Sequence, residues 1–235
     1  MRAPHVSGFV LWFTGLSGAG KTTIANIVEP ELERRGFTVD HLDGDIVRTH
    51  LSKGLGFSKE DRDTNIARIG WVASRLARAG AAVVVSAISP YEEMRRHARS
   101  LVEQHSPFVE IYVATPLEEC ARRDPKGLYA AAFAGEIEEF TGVSAPYEAP
   151  LEPELGVHGL LVRIGDPGEL GDLARVRHRI ETLGVSALAF LERGRHVHLD
   201  EHGVLALGQR ARPAPRLLVR RDRGDDHRDA RTGEP

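Results

Sequence analysis

The hydrophobic positions of this chain follow two patterns, short continuous runs and residues repeated at helical spacing. The first run, at 9–13, consists of β-forming residues, and a glycine-rich turn follows it directly. Similar runs predict strands at 37–42, 81–88 and 108–113. Apolar residues spaced three or four apart predict a helix after Lys21 and helices at 60–79 and 90–102. Because strands and helices alternate, we predict an α/β fold with a doubly wound parallel β-sheet flanked by helices.

The pattern changes beyond about Glu154. A weak strand at 160–164 and a moderately amphipathic helix at 170–183 are expected to complete the domain, which we place at 1–190. The remaining residues, 191–235, are rich in Arg, His, Gly, Pro and Asp and contain few apolar side chains. A segment of this composition buries too little apolar surface to fold, so we predict a disordered C-terminal tail. A native extension and a shifted reading frame are both open as its origin.

Composition narrows the classes of function. Hydrophobic residues make up 41% of the chain and charged residues 28%, which is typical of a protein with a buried core. The 31 basic and 34 acidic side chains nearly balance, which argues against a nucleic-acid-binding surface. The single cysteine, Cys120, excludes an intrachain disulfide and a multi-cysteine zinc site. No apolar run approaches the ~20 residues that cross a membrane, so we expect a cytoplasmic protein with neither nucleic-acid nor membrane partners.

The glycine-rich turn matches the phosphate-binding pattern G-x-x-x-x-G-K-[ST]. Its glycines allow backbone N–H groups to surround phosphate oxygens, and the helix that follows directs its positive end toward the same anion. Lys21 adds a positive charge beside the β- and γ-phosphates, and the Thr22 hydroxyl is suited to bind Mg²⁺. The predicted nucleotide-binding residues of this turn are Gly15, Leu16, Ser17, Gly18, Ala19, Gly20, Lys21, Thr22 and Thr23. With a strand before it and a helix after it, the turn predicts that the α/β fold is of the P-loop NTPase type. The turn alone leaves GTPase, ATPase and small-molecule kinase open.

Two aspartates, Asp43 and Asp45, follow the second predicted strand, at the edge where doubly wound sheets bind ligands. Phosphoryl transfer to a hydroxyl needs one carboxylate near the acceptor oxygen and others, or waters, around Mg²⁺, and this pair can divide the two tasks. The alternative is an Asx turn followed by a helix N-cap. The phosphate-binding turn in the same sheet favours the catalytic interpretation. A GTPase is less favoured, because the sequence has no Asn-Lys-x-Asp segment and no Asp-x-x-Gly after the strand at 81–88.

A series of further motifs resembles those of the adenylylsulfate kinase (APS kinase) family, in the family's order between about Gly8 and Glu154. The motifs are Asp43-Gly-Asp-Ile-Val-Arg48, Gly54-Leu-Gly-Phe-Ser58, Glu60-Asp-Arg62, Asn65-Ile66 with Arg68-Ile-Gly70, Ile88-Ser-Pro-Tyr91, Thr115-Pro-Leu-Glu118, Arg123-Asp-Pro-Lys-Gly-Leu-Tyr129, Phe140-Thr-Gly142 and Pro146-Tyr-Glu148. The resemblance implies a Mg²⁺-dependent enzyme of sulfate activation that transfers the γ-phosphate of ATP to the 3′-hydroxyl of adenosine 5′-phosphosulfate (APS). The products are 3′-phosphoadenylyl sulfate (PAPS) and ADP, and the family also implies a homodimer. The alternatives are a P-loop kinase for another nucleotide or small hydroxyl compound and a catalytically silent nucleotide-binding homologue.

The resemblance also implies which residues bind APS. They are Asp45, Arg48, Phe57, Arg62, Asn65, Ile88, Ser89, Lys126, Gly127, Leu128 and Phe140. The basic groups among them would hold the phosphosulfate, and the two phenylalanines would sandwich the adenine, although core packing is the ordinary role of a phenylalanine. Mg²⁺ would be held by Thr22 and Asp43, and Asp45 is favoured as the carboxylate nearest the 3′-hydroxyl.

The residues implied in catalysis are Lys21, Asp43, Asp45 and Ser89. Ser89 resembles a family serine described as a phosphoserine intermediate. In-line transfer needs no covalent intermediate, so a hydrogen bond to substrate or a strand-ending turn is an equal alternative. The segment 122–147 resembles a lid, in which Arg122 and Arg123 contact ATP and neutralise the transferring phosphate while the residues at 126–128 close over APS. Such closure excludes water from the reaction.

Overall fold

The computed structural model describes residues 8–157 and two further short strands near the C-terminus. The strands β1–β5 span Phe9–Thr14, Val39–Asp43, Ala82–Ser86, Phe108–Val113 and Leu155–Val157. The helices α1–α6 span Lys21–Arg34, Gly44–His50, Lys59–Arg78, Glu92–Val102, Leu117–Arg123 and Leu128–Phe133. The further strands, β6 and β7, span Val197–Leu199 and Leu205–Leu207 and pair antiparallel. Over this part of the chain, no helix combines the length and the apolar character needed to cross a membrane.

Strands β1–β5 form one parallel sheet in the order β2-β3-β1-β4-β5. β1 lies at its centre, with Leu11 opposite Val84 of β3 and Val109 of β4. Every residue of β1 is buried, as expected of a strand covered by helices on both faces. The predicted doubly wound α/β fold is therefore confirmed. Because the strands are parallel, the chain leaves β1, β2 and β3 at the same edge of the sheet, where ligand sites of such folds lie.

Alternate residues of β1 enter two hydrophobic cores, one on each face of the sheet. Phe9, Leu11 and Phe13 pack in the core that includes α1. Val10 and Trp12 pack on the opposite face with residues of α3 and α4. Burial of such a side chain stabilises the fold by roughly 1.5–3 kcal/mol. The loops at the carboxyl edge thus start from a rigid base.

Two helices begin one or two residues away from the predicted start, because of the residue that precedes them. α3 begins at Lys59 because the Ser58 hydroxyl accepts a hydrogen bond from the Asp61 N–H at 3.1 Å. α4 begins two residues later than predicted, at Glu92, because Tyr91 is extended with φ −106° and ψ 130°. The helices α2, α5 and α6 were not predicted, since elements of 7, 7 and 6 residues carry too little periodicity.

The fifth strand of the sheet, β5, was also not predicted from the sequence. It is only three residues long and pairs with β4, with Ile111 opposite Leu155. Glu154, directly before it, accepts hydrogen bonds at 2.7 Å from the Glu110 N–H and from both terminal nitrogens of Arg99. This buried carboxylate anchors the short strand. The predicted strand at 160–164, the predicted helix at 170–183 and, apart from β6 and β7, the predicted tail at 191–235 lie outside the described residues.

Candidate active site

A cleft of about 950 Å³ opens at the carboxyl edge of the sheet, and most of the predicted site residues line it. These are Ser17, Gly18, Gly20, Lys21, Thr22, Thr23, Asp43, Asp45, Arg48, Phe57, Arg62, Asn65, Ile88, Ser89, Arg122, Arg123, Lys126, Leu128 and Phe140. The predicted residues that do not line it are Gly15, Leu16, Ala19 and Gly127. The structure therefore brings the predicted nucleotide-binding and APS-binding residues together around one cavity.

The phosphate-binding loop joins β1 to α1 in a conformation that requires glycine. Gly18 and Gly20 have φ angles of 69° and 101°. At Gly15, whose φ is 150°, an added Cβ would lie 2.6 Å from the carbonyl oxygen of Val113. A larger residue at any of these positions would strain the loop or displace its neighbour. The glycines that the motif supplies thus keep the backbone in the shape that surrounds an anion.

Lys21 is buried at the base of this loop. Its Nζ donates hydrogen bonds to the carbonyl oxygens of Gly15 at 2.9 Å and Leu16 at 2.7 Å. Burial lowers the pKa of Lys21 to about 8, against the attraction of the Asp43 and Asp45 carboxylates. A phosphate in the cleft would favour the charged form, because a nearby anion stabilises an ammonium.

The Asp43 carboxylate connects β2 to the phosphate-binding loop. Its Oδ2 accepts hydrogen bonds from the Thr22 hydroxyl at 2.8 Å and the Ser86 hydroxyl at 2.9 Å. Its Oδ1 caps α2 by accepting from the N–H groups of Asp45 at 3.0 Å and Ile46 at 3.4 Å. Burial acts to raise the pKa of Asp43, but these hydrogen bonds outweigh it and hold the pKa below its ordinary value. Asp43 is thus both a helix N-cap and a contact of the loop.

The oxygen atoms at this point fit Mg²⁺. Because the Thr22 hydroxyl gives its proton to Asp43, its lone pairs are free for a cation. Mg²⁺ prefers oxygen ligands and is usually held by one or two protein groups together with substrate phosphates and water. Within 8–157 there is no group of three or more His, Cys, Asp or Glu residues that could hold a metal. A cation bound together with ATP does not need such a group.

The other end of the cleft combines an exposed ring with two arginines. Phe57 is 57% exposed, so it does not fill a core. The guanidinium carbons of Arg48 and Arg62 lie 4.5 and 5.9 Å from the centre of its ring. Arg62 is buried and donates to the Phe57 carbonyl at 2.7 Å, and it also contacts the Thr141 hydroxyl and the Glu139 carbonyl. The ring and both guanidinium groups are consequently held as one positively charged unit.

Phe140 and Asn65 line the same cleft. Phe140 is half-buried and packs edge-on against Tyr129, with ring centres 5.0 Å apart. Asn65 is buried on α3, and its Oδ1 has no hydrogen-bond partner in the described structure. An unsatisfied buried acceptor costs about 1–3 kcal/mol, so a hydrogen-bond donor on a ligand would be favoured here.

Ser89 follows β3 in a strained backbone conformation, with φ 48°. Its hydroxyl oxygen accepts a hydrogen bond from Trp12 Nε1 at 3.1 Å, and its carbonyl accepts one from Arg95 Nη1 at 2.7 Å. Arg95 is held in turn by Glu110, whose Oε1 accepts from Arg95 Nε at 2.8 Å. The contact of the Ser89 hydroxyl is an N–H donor rather than a base, which leaves its own proton free to donate. This geometry favours a hydrogen-bonding role over a nucleophilic one.

The predicted lid contributes three basic side chains to the cleft. Arg122 Nε and Arg123 Nε each donate to the Glu119 carboxylate at 2.8 Å, and these hydrogen bonds lower the pKa of Glu119 to about 2. Lys126 contacts the Asp45 carboxylate and so joins the lid to α2. An ion pair between its lysine and a predicted catalytic carboxylate thus connects the predicted lid to the residues after β2.

Three residues of the site were given no role from the sequence, although two of them, Tyr129 and Thr141, lie within its motifs. Ser86 supports Asp43, and the signal for it was a polar residue at the end of an otherwise apolar strand. The Tyr129 hydroxyl donates to the Ser17 carbonyl at 2.9 Å and ties the lid to the phosphate-binding loop. Thr141 contacts Arg62 from a loop 79 residues away, and nothing in the local sequence indicates that pairing.

Comparisons with known proteins agree with this geometry. The sequence model described as adenylylsulphate kinase matches residues 7–158. The adenylyl-sulfate kinase of Picosynechococcus sp. is 60% identical over 148 residues, which are 63% of this chain and 82% of that protein. The Mycobacterium tuberculosis APS kinase, solved in complex with AMPPNP and APS, superposes with a TM-score of 0.67 at 40% identity, covering 79% of this chain and 98% of that one. A hexameric APS kinase from Thiobacillus denitrificans gives a TM-score of 0.54 at 34% identity, covering 80% of this chain and 30% of that one. This chain belongs to the adenylylsulphate kinase family.

Proposed function

We propose that this chain transfers the γ-phosphate of ATP to the 3′-hydroxyl of APS, giving PAPS and ADP in sulfate activation. The observation that carries the proposal is the cleft itself. One end has the buried Lys21 and the Thr22–Asp43 hydrogen bond of a nucleotide site, and the other has the Phe57–Arg62 unit. A transfer from a bound nucleotide to a second bound ligand uses both ends of such a cavity.

At the nucleotide end, the residues bind and orient ATP. The loop N–H groups surround the phosphates, and the Lys21 ammonium neutralises charge at the β- and γ-positions. Arg122 and Arg123 add positive charge from the lid side. The Thr22 hydroxyl, oriented by Asp43, would hold Mg²⁺ together with the phosphates. When bound, Mg²⁺ withdraws charge from the transferred phosphoryl group.

At the acceptor end, the residues suit a nucleotide that carries an oxyanion. A purine ring stacks on aromatic faces such as those of Phe57 and Phe140. Guanidinium groups match the geometry of phosphate and sulfate oxygens, which suits Arg48 and Arg62. The unpaired Oδ1 of Asn65 offers an acceptor for an amine or hydroxyl of the same ligand. A sugar or other small alcohol would not use this combination.

Asp45 is the better of the two carboxylates for the acceptor hydroxyl. The Asp43 carboxylate already accepts two hydrogen bonds on each oxygen, so it is less available for a substrate proton. The side chain of Asp45 is 75% exposed, and its carboxylate forms an ion pair with Lys126. We therefore assign to Asp45 the hydrogen bond that orients the 3′-hydroxyl and accepts its proton, while Ser89 donates a hydrogen bond to the substrate.

The test is ADP release from Mg·ATP with and without APS, together with direct detection of PAPS. We expect APS-dependent ADP release that equals PAPS formation, and its loss in Lys21→Ala. Lys53→Ala, which removes an exposed lysine outside the cleft, serves as the matched control. ADP release that is independent of APS would point to another acceptor. Wild-type turnover in Lys21→Ala would contradict the assignment of the phosphate-binding loop.

A homodimer and a cytoplasmic location are the remaining parts of the proposal. The family resemblance supports the dimer, whereas the Thiobacillus denitrificans relative is described as hexameric. Light scattering coupled to size-exclusion chromatography measures the mass in solution, and a mass of two chains is the expected result.

A further inference from the structure

A line of side chains runs behind the Asp43 carboxylate on the face of the sheet that packs against α1. The Thr22 and Ser86 hydroxyls both donate to Asp43 Oδ2, at 2.8 and 2.9 Å. The Ser86 hydroxyl oxygen in turn lies 2.9 Å from His41 Nε2. Glu29 Oε2 of α1 stands 3.5 Å from the other ring nitrogen of His41 and closes the line at the helix. None of the sequence motifs includes His41, Ser86 or Glu29.

The pairing of β2 with β3 brings these groups together. Asp43 is the register partner of Ser86, and His41 is the partner of Val84. Residues two apart on a strand face the same side of a sheet, so His41 and Asp43 lie on one face with Ser86 between them. Ser86 is almost completely buried and His41 is largely covered. Hydrogen bonds in such a dry setting fix orientation more strongly than exposed ones do.

Counting protons gives the direction of each bond. A serine hydroxyl has one proton, and the Asp43 carboxylate has none to give. Ser86 must therefore donate to Asp43, and His41 Nε2 must donate to Ser86. Because the Ser86 hydroxyl donates to Asp43 Oδ2 from one side, this oxygen is oriented to accept the proton of the Thr22 hydroxyl. This alignment points the lone pairs of the Thr22 oxygen away from Asp43 and toward the cleft.

We infer that Ser86 and His41 are positioning residues, which orient Thr22 for metal-assisted nucleotide binding through the Asp43 carboxylate. The inference rests on the proposed function only in requiring that Mg²⁺ and ATP bind together at Thr22. It assigns different roles to neighbouring residues, because Asp45 on α2 serves the acceptor hydroxyl while Ser86 and His41 in the β2–β3 pair serve the nucleotide side. Groups that orient a metal ligand commonly change metal affinity or activity by about 10- to 100-fold when removed.

The experiment measures the affinity for a non-hydrolysable ATP analogue by calorimetry, once with Mg²⁺ and once with EDTA. In Ser86→Ala we expect the gain in affinity that Mg²⁺ provides to fall about tenfold, with the affinity in EDTA unchanged. Ser86→Thr, which keeps the hydroxyl, should restore the gain. Ser74→Ala is the matched control, because it removes a buried hydroxyl that donates to the Leu101 carbonyl outside the cleft.

A second pair of variants tests His41 and decides the matter if Ser86→Ala does not fold. His41→Gln keeps an N–H donor at similar reach, and His41→Met has nearly the same length without one. We expect the Mg²⁺-dependent gain to be larger in His41→Gln than in His41→Met, and equal gains in the two would overturn the role of His41. A wild-type gain that Ser86→Ala fully retains overturns the role of Ser86 alone. A wild-type protein that gains nothing from Mg²⁺ contradicts the proposed function as well.

Discussion

Replacement of Phe57 by alanine tests the acceptor end of the cleft. The ring is 57% exposed, so its removal takes little packing from the folded protein, whereas a stacked adenine would cover the exposed part. Full burial of a phenylalanine side chain is worth roughly 1.5–3 kcal/mol, so covering a little over half of it is worth about 1–1.5 kcal/mol. Measured base–aromatic stacking, at about 1–3 kcal/mol, agrees with this range. We therefore expect the KM for APS to rise about five- to tenfold.

Initial rates provide the assay, with APS varied at saturating ATP and ATP varied at fixed APS. The KM for ATP should stay unchanged, because the ring of Phe57 lies against Arg48 and Arg62, which we assign to APS rather than to ATP. Phe133→Ala is the matched control, since Phe133 is 62% exposed on α6 and lies outside the cleft. Equal rises in both KM values would refute the stacking role, as would the same effect in Phe133→Ala.

Other predictions concern the carboxylates. Asp45→Asn should lower kcat about 10²- to 10⁴-fold at unchanged melting temperature, because the residue is exposed and its role is to accept a proton; a kcat within twofold of wild type would remove Asp45 from the mechanism. Glu154→Ala should lower the free energy of unfolding by about 2–4 kcal/mol, because it removes the carboxylate that both terminal nitrogens of the partly buried Arg99 and the Glu110 N–H donate to. Glu103→Ala, which removes an exposed partner of the same arginine, should cost at most about 1 kcal/mol. Similar losses in the two variants, measured by urea denaturation, would show that burial does not set the value. Hydrogen bonds from Arg122 and Arg123 lower the pKa of Glu119 from its ordinary value of 4.5 to about 2. The stabilisation that the ionised Glu119 provides is therefore complete above pH 4.5 and is lost as the pH falls through about 2. Carbon-13 NMR of the Glu119 carboxyl should show that titration, and an ordinary value would mean that the two arginines do not pair with it in solution.

The sequence predicted the elements whose signals are local and long. β1, the phosphate-binding loop and α1 follow one another along the chain, so the hydrophobic run, the glycines and the helical spacing all indicate one strand–loop–helix segment. The structure confirms this segment. β4 was predicted at the residues where it occurs. β5 was missed because a three-residue strand has no periodicity. Its position depends on Glu154, which accepts a hydrogen bond from Arg99 of α4. Capping and tertiary anchors, rather than hydrophobic pattern, decide such short elements.

The candidate site shows the same difference between local signals and contacts of residues distant in the sequence. The residues of the phosphate-binding loop follow from their spacing, whereas the APS-binding residues were expected from family resemblance and not from spacing. Neither the spacing nor the resemblance indicated that Ser86 contacts Asp43, because Ser86 lies 43 residues further along the chain. Whether the two side chains meet depends on the register of β2 with β3, and a shift of one residue would turn Ser86 to the opposite face of the sheet. The cores on the two faces favour that register, since Val39 of β2 packs against the core that includes α1 and Leu42 packs against the other, and a shift of one residue would move each to the wrong face. The hydrophobic core of this protein is thus a condition for the geometry at Thr22, and substitutions in the β2–β3 pair should disturb nucleotide binding even where they touch no ligand.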